Sequence, residues 1–223
     1  MGYPDLQSDI LQAEGGKCLF DMMLNDRLKR QAFINSSLNN WNKAIQWFEK
    51  ALTLLRKYDN TDPQSLVEAT HHLSRAQLSL NMLTEAVKVF ETTLRSFETH
   101  HGFLNLLTLS IANRLGYLYH TVGHTHDRAE SMYKRTLNGF DQHNNHRGIL
   151  KSCQHLDHFY LDQNKLSDAS NMFSRALNLY RQLRMPQTTS SLLYVTFDYG
   201  VVKHLLGQVI FAERLMFFAH DAF

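Results

Sequence analysis

The chain has 223 residues, of which 43% are apolar and 20% charged, the proportions of a folded globular chain rather than a disordered one. Ten glycines and three prolines are few for the many turns of an all-β architecture, and lean toward helices. A formal charge of +2 without a basic block excludes a duplex-DNA binder that works by neutralising phosphates.

The first twenty residues, MGYPDLQSDILQAEGGKCLF, lack the basic start and apolar run of a secretory signal. No later apolar run approaches the roughly 20 residues of a membrane helix. Two cysteines, Cys18 and Cys153, are too few for a disulfide framework, so a soluble cytoplasmic protein is expected. Residues 5–13 read as a short helix closed by Gly15 and Gly16, which predicts that 1–16 is a cap or the remnant of a preceding repeat.

From there one pattern recurs along the chain: a small residue, an aromatic four positions on, then Ala or Thr followed by Leu. It reads AIQWFEKAL at 44–52, AVKVFETTL at 86–94, AESMYKRTL at 129–137 and ASNMFSRAL at 169–177, with a weaker copy AERLMFFAH at 212–220. The alanines Ala44, Ala86, Ala129, Ala169 and Ala212 are spaced 42, 43, 40 and 43 residues apart. A near-constant period of this length is the mark of a repeat architecture. Within each copy the aromatic at i+4 and the small residue at i+7 form one stripe of a 3.6-residue helix.

Upstream of each marker lies a second amphipathic run, clearest in LSRAQLSL at 73–80, NRLGYLYHTVG at 113–123 and HLDHFYLDQN at 155–164. Asn81, Gly123, Asn164 and Gly207 fall in the short polar joint between the two runs. Asn and Gly tolerate the left-handed backbone that ends a helix there. The expected architecture is all-α, about five antiparallel helix pairs in units of approximately 17–58, 64–100, 104–142, 147–184 and 187–223.

These residues resemble the tetratricopeptide (TPR) repeat. The third copy matches that pattern best, with Leu115, Gly116, Tyr119, Gly123, Ala129, Tyr133, Thr136 and Leu137. Between Gly123 and Arg128 stands an inserted HTHD stretch, with His126 in the loop. The fourth copy gives Leu156, Asp157, Tyr160, Asn164, Ala169, Phe173, Ala176 and Leu177, with Asp157 where the pattern has a helix-packing glycine. The ordinary repeat is 34 residues long, and the longer period here is similar to kinesin-light-chain-like and filamentous-fungal arrays.

The resemblance implies a right-handed α-solenoid whose leading helices line a concave groove. It also implies ligand contacts at Lys29, Phe33, His71, Arg75, Asn113, Tyr117, His120, Gln154, His158 and His204, with Leu78, Leu161, Phe197 and Val201 beside them. The function it implies is a non-catalytic scaffold or adaptor that binds a peptide or protein segment, weakly favouring an acidic or carboxylate-bearing one. The alternative is a ligand-sensing regulatory array, as in receptor tails, carried by a fragment of a longer protein.

No nucleophile elbow, phosphate loop or HExxH motif is present, so no enzymatic activity and no cofactor is expected. His120, His124 and His126, with Asp127, form the one cluster suggestive of zinc. A polar loop insertion explains it better than a tetrahedral site, and no metal is expected. Cys153 reads as a buried, inert thiol. The closing stretch RLMFFAHDAF spreads apolar side chains around a helix, which predicts self-association or partner docking there.

Overall fold

The computed structural model describes residues 23–57, 62–123, 125–186 and 189–221. The 1–16 segment, Cys18 and His124 lie outside them. The described residues are all helix and turn, and the helices follow one another in chain order. α1 runs through 23–37, followed by α2 (Trp41–Arg56), α3 (Pro63–Ser79), α4 (Leu83–His101) and α5 (Leu106–Val122). Then come α6 (His126–Gln142), α7 (His146–Asp162), α8 (Leu166–Gln182), α9 (Ser190–Leu205) and α10 (Val209–Asp221). No strand occurs among the described residues, and none of these helices is long and apolar enough to cross a membrane.

Local chemistry sets the helix ends. The joints expected at Asn81, Gly123, Asn164 and Gly207 all carry positive φ, at 59°, 80°, 56° and 78°, and Asn39 does the same between α1 and α2 at 56°. One left-handed residue turns the chain back on itself at each of these joints. The starts of three leading helices are capped by side chains. Asp62 accepts from the backbone N–H groups of Gln64 and Ser65 ahead of Pro63, Asn105 from Leu107, and Asn145 from Gly148. Such caps satisfy donors that the first helical turn leaves open. At α6 the structure corrects the sequence reading. His126 is the first residue of the helix rather than part of a loop, and Thr125 precedes it, its hydroxyl donating to the Tyr119 carbonyl at 2.9 Å.

The chain divides into two compact units, with the boundary between Ser96 and Phe97 inside α4. In the first, Ala44, Phe48, Ala51, Ala86 and Phe90 are all buried. Phe48 stacks on His72 with ring centroids 5.6 Å apart, and His71 meets Phe90 edge-on at 5.3 Å. Leu73 and Ala76 of α3 close the same core with Ile45, Leu52 and Leu55 of α2.

In the second unit α5 packs on α6, α7 on α8 and α9 on α10, while α6 meets α7 and α8 meets α9. Ala129, Ala169 and Ala212 have no exposed surface, and Tyr133 and Phe173 are buried beside the first two. The small residues of the leading helices sit where the hairpins close. A Cβ placed on Gly116 would lie 2.9 Å from Cε1 of Tyr133, and one on Gly200 would lie 2.7 Å from Cγ of Met216. The leading helix therefore rests directly on the side chain one turn beyond the marker alanine. Outside this core, Arg135 pairs with Glu98 at 2.5 Å and Arg175 pairs with Asp141, linking α6 to α4 and α8 to α6.

In the fourth hairpin the glycine position is held by Asp157, 1% exposed. Its Oδ1 accepts from the His158 backbone N–H at 2.6 Å, and its Oδ2 has no hydrogen-bond partner among the described residues. Burial, assisted by the charge of Asp198, pushes its carboxyl up to about 8, against the pull of the His158 N–H. The acid is thus neutral in the fold across a range where the unfolded chain ionises it. The resulting loss of stability is absent below about pH 4, grows through the intervening range and is complete above about pH 8. Asp157→Asn is expected to leave the melting temperature unchanged at pH 3 and to raise it by about 4 °C or more at pH 8.5, equivalent to ~1–2 kcal/mol in a chain of this size. Calorimetry at the two pH values checks this.

Candidate functional site

The repeat places equivalent positions of successive leading helices side by side. On α5 these are Asn113, Tyr117 and Thr121, on α7 Gln154, His158 and Asp162, and on α9 Phe197, Val201 and Leu205; of these Thr121, His158, Asp162 and the three on α9 are exposed. Between α5 and α7 this arrangement opens a cleft of about 500 Å³ lined by Tyr117, His120, Thr121, Tyr133, His155, His158 and Asp162. Three of the residues expected to contact a ligand, Tyr117, His120 and His158, are brought together there.

Two of its walls are already committed. His120 Nε2 lies 2.8 Å from Oδ2 of Asp162, and its ring stands edge-on to Phe159 at 5.3 Å. The Arg114 guanidinium covers the Tyr117 ring at 4.7 Å, a cation–π contact that fixes the phenol in place.

Asn113 departs from expectation. It is 4% exposed and does not project outward. Its Oδ1 lies 3.0 Å from Nδ1 of His155. A carboxamide oxygen only accepts, so Nδ1 carries the proton and Nε2 is left as the acceptor face of the ring. His155 itself is tilted against both Tyr133, at 5.4 Å, and Tyr117, at 5.7 Å. Burial first, and then the positive surroundings of Arg114, Lys151, His158 and His120, push its imidazole down to about 4. Near neutral pH the ring is uncharged.

The floor of the cleft is Tyr133, with no exposed surface. Its hydroxyl has no hydrogen-bond partner among the described residues. Burial raises its pKa far above the usual phenol value, so it remains a neutral donor. His155 and Tyr133 were not among the expected contacts, for different reasons. Tyr133 is the marker aromatic of its repeat and reads as core filling, which its ring is. His155 lies one position beyond the outward Gln154, and only the 42-residue offset from Asn113 hinted that the two would meet.

The remaining expected residues lie elsewhere. Gln154 is half-buried, and His204, on α9, is exposed. In the first unit Lys29 and His71 are half-buried and Arg75 is exposed. Phe33, 40% exposed, sets its ring edge-on to His72 at 4.5 Å. Burial, with Arg75 next, holds the His72 imidazole below its usual range. Cys153 has no exposed surface, and burial pushes its thiol up to about 12. Among the described residues no three His, Cys, Asp or Glu side chains converge as a metal site.

No family model matches the sequence, and no curated protein matches it. Solved structures do. BtubC (BKLC) from P. vanneervenii superposes with a TM-score of 0.80 at 17% identity, over 96% of this chain and 85% of that one. A Podosopora anserina protein with nearly identical TPR-like repeats of kinesin light chain type gives 0.71 at 15% identity, over 88% and 93%. The Rap conjugation gene regulator of plasmid pLS20, solved in complex with the Phr* peptide, gives 0.63 at 15% identity, over 87% and 52%. At these identities the likeness concerns the fold, which is that of TPR-like helical repeats.

The contact between Asn113 and His155 is the joint on which the cleft wall depends. Asn113→Leu keeps a similar volume and removes the acceptor, leaving the Nδ1–H of His155 without its partner. A loss of about 1–3 kcal/mol is expected at pH 7 in urea unfolding followed by circular dichroism.

Proposed function

We propose that this chain is a non-catalytic interaction module that holds a peptide or protein segment against the exposed side of its leading helices. The observation that carries this reading is the cleft between α5 and α7. It is shaped by side chains from two successive repeats and floored by a buried hydroxyl that has no partner among the described residues. A cavity with convergent polar groups is the ordinary form of a recognition site. The peptide complex of the Rap regulator, a protein of the same fold, supports a peptide as occupant. In the first unit, Lys29, Arg75 and His71 supply donors on α1 and α3, and favour an acidic segment there.

The test is capture with the full chain as bait and identification of what is retained. Lys29→Glu with Arg75→Glu, and separately His158→Ala with Tyr117→Ala, are expected to reduce the retained partner about tenfold. Helicity measured by circular dichroism should be unchanged. Retention that is indifferent to both pairs places the contact on another surface.

A second contact surface is supported by α10. Ile210, Phe211, Phe217 and Phe218 are 72%, 47%, 68% and 40% exposed. The residues 43 positions earlier on α8 are Ser167, Asp168, Ser174 and Arg175, so a side that is polar in one hairpin is apolar in the next. This exposed face supports self-association. Light scattering is expected to show a concentration-dependent dimer that Ile210→Glu with Phe217→Glu converts to monomer. A wild-type chain that stays monomeric at high concentration removes this second surface.

A further inference from the structure

Resting on the groove reading, a more specific occupant follows from which hydrogen-bonding roles the cleft leaves open. Because Asn113 takes the proton side of His155, the ring offers only its Nε2 lone pair. Tyr133, in ring contact with His155 at 5.4 Å, offers an unpartnered hydroxyl. A ligand group that accepts from the phenol O–H and donates to the imidazole engages both atoms at once, and the phenol oxygen can accept as well. A carboxylate does only the first, and an ammonium only the second. A primary amide does both through one planar group.

The next leading helix adds a second requirement. Where α7 carries Gln154, His158 and Asp162, the same positions of α9 carry Phe197, Val201 and Leu205, at 44%, 38% and 59% exposure, with Tyr194 at 61% one turn earlier. Polar and apolar contact surfaces therefore lie on neighbouring leading helices of one compact unit. Helices in repeats of this kind sit about 8–10 Å apart, so the middle of the cleft and the apolar row are separated by roughly 12–15 Å, or about four residues of extended chain.

We infer that the α5–α7 cleft receives the side-chain amide of an Asn or Gln in an extended peptide, accepting from Tyr133 and donating to His155, while an aromatic or aliphatic side chain about four residues away lies on Phe197 and Val201 of α9. The amide gives a partner to the Tyr133 hydroxyl, which has none among the described residues. Uncharged recognition at the cleft also separates this half of the chain from the Lys29 and Arg75 surface of the first unit.

The test selects a display library of random dodecapeptides on the immobilised full chain, then measures synthetic hits by fluorescence anisotropy. Enrichment of Asn or Gln about four residues from a large apolar side chain is expected. Tyr133→Phe keeps the ring and deletes an unsatisfied buried hydroxyl, so its stability should be equal or higher. Its affinity for the amide peptide should nevertheless fall about tenfold. Replacing the peptide's amide residue by Leu should weaken binding to the wild-type chain, and that Leu peptide should no longer distinguish wild type from Tyr133→Phe. Enrichment of Asp or Glu at the anchor, or an affinity unchanged in Tyr133→Phe, overturns the amide site while leaving the groove reading standing. Failure of the folded chain to enrich any peptide overturns both.

Discussion

The contact that organises the molecule is a helix resting on the aromatic ring of its partner. At Gly116 there is no room even for a methyl group before Tyr133 is met, and Gly200 stands in the same relation to Met216. The marker alanines work from the other side, fully buried at Ala44, Ala86, Ala129, Ala169 and Ala212. Small residues bring the backbones close, and a large side chain one turn on fills the space that remains. Because the same arrangement returns about every 42 residues, a segment too short to bury its own apolar face finds a matching face on its neighbour.

That dependence explains why the fold was legible in the sequence and the site only partly so. The alanine–aromatic stripe is both the sequence signal and the packing unit, and the Asn and Gly joints are dictated by backbone sterics, so both survive the passage to three dimensions. Side chains on the open face obey no such constraint. Tyr117, His120 and His158 do converge on the cleft. Asn113, at a position that ought to point outward, turns in to hold His155 instead. Periodicity fixes which positions share a helix face, not how deeply a neighbouring helix buries each of them. Nor did the pattern show that Tyr133 would have two roles, its ring in the core and its hydroxyl beneath the cleft.

The buried ionisable groups of the fourth repeat pull in opposite directions. His155 is kept neutral by burial and by the cations around it, so its contribution is intact above about pH 6.5 and is lost as the pH falls toward 4. Asp157 is kept neutral by burial near Asp198 and costs more as the pH rises. Both sit on α7, two positions apart. The helix that forms one wall of the cleft thus carries two buried groups whose cost to the fold appears at opposite ends of the pH scale.

Cys153 belongs to that same helix, sealed from solvent with its thiol held in the protonated form. Thiolate, not thiol, attacks alkylating reagents, so in the closed hairpin this sulfur is chemically silent. Each transient separation of α7 from its neighbours uncovers it, and the rate at which it is captured counts those openings. The fourth repeat therefore carries its own clock for breathing, readable at one buried sulfur in the intact chain.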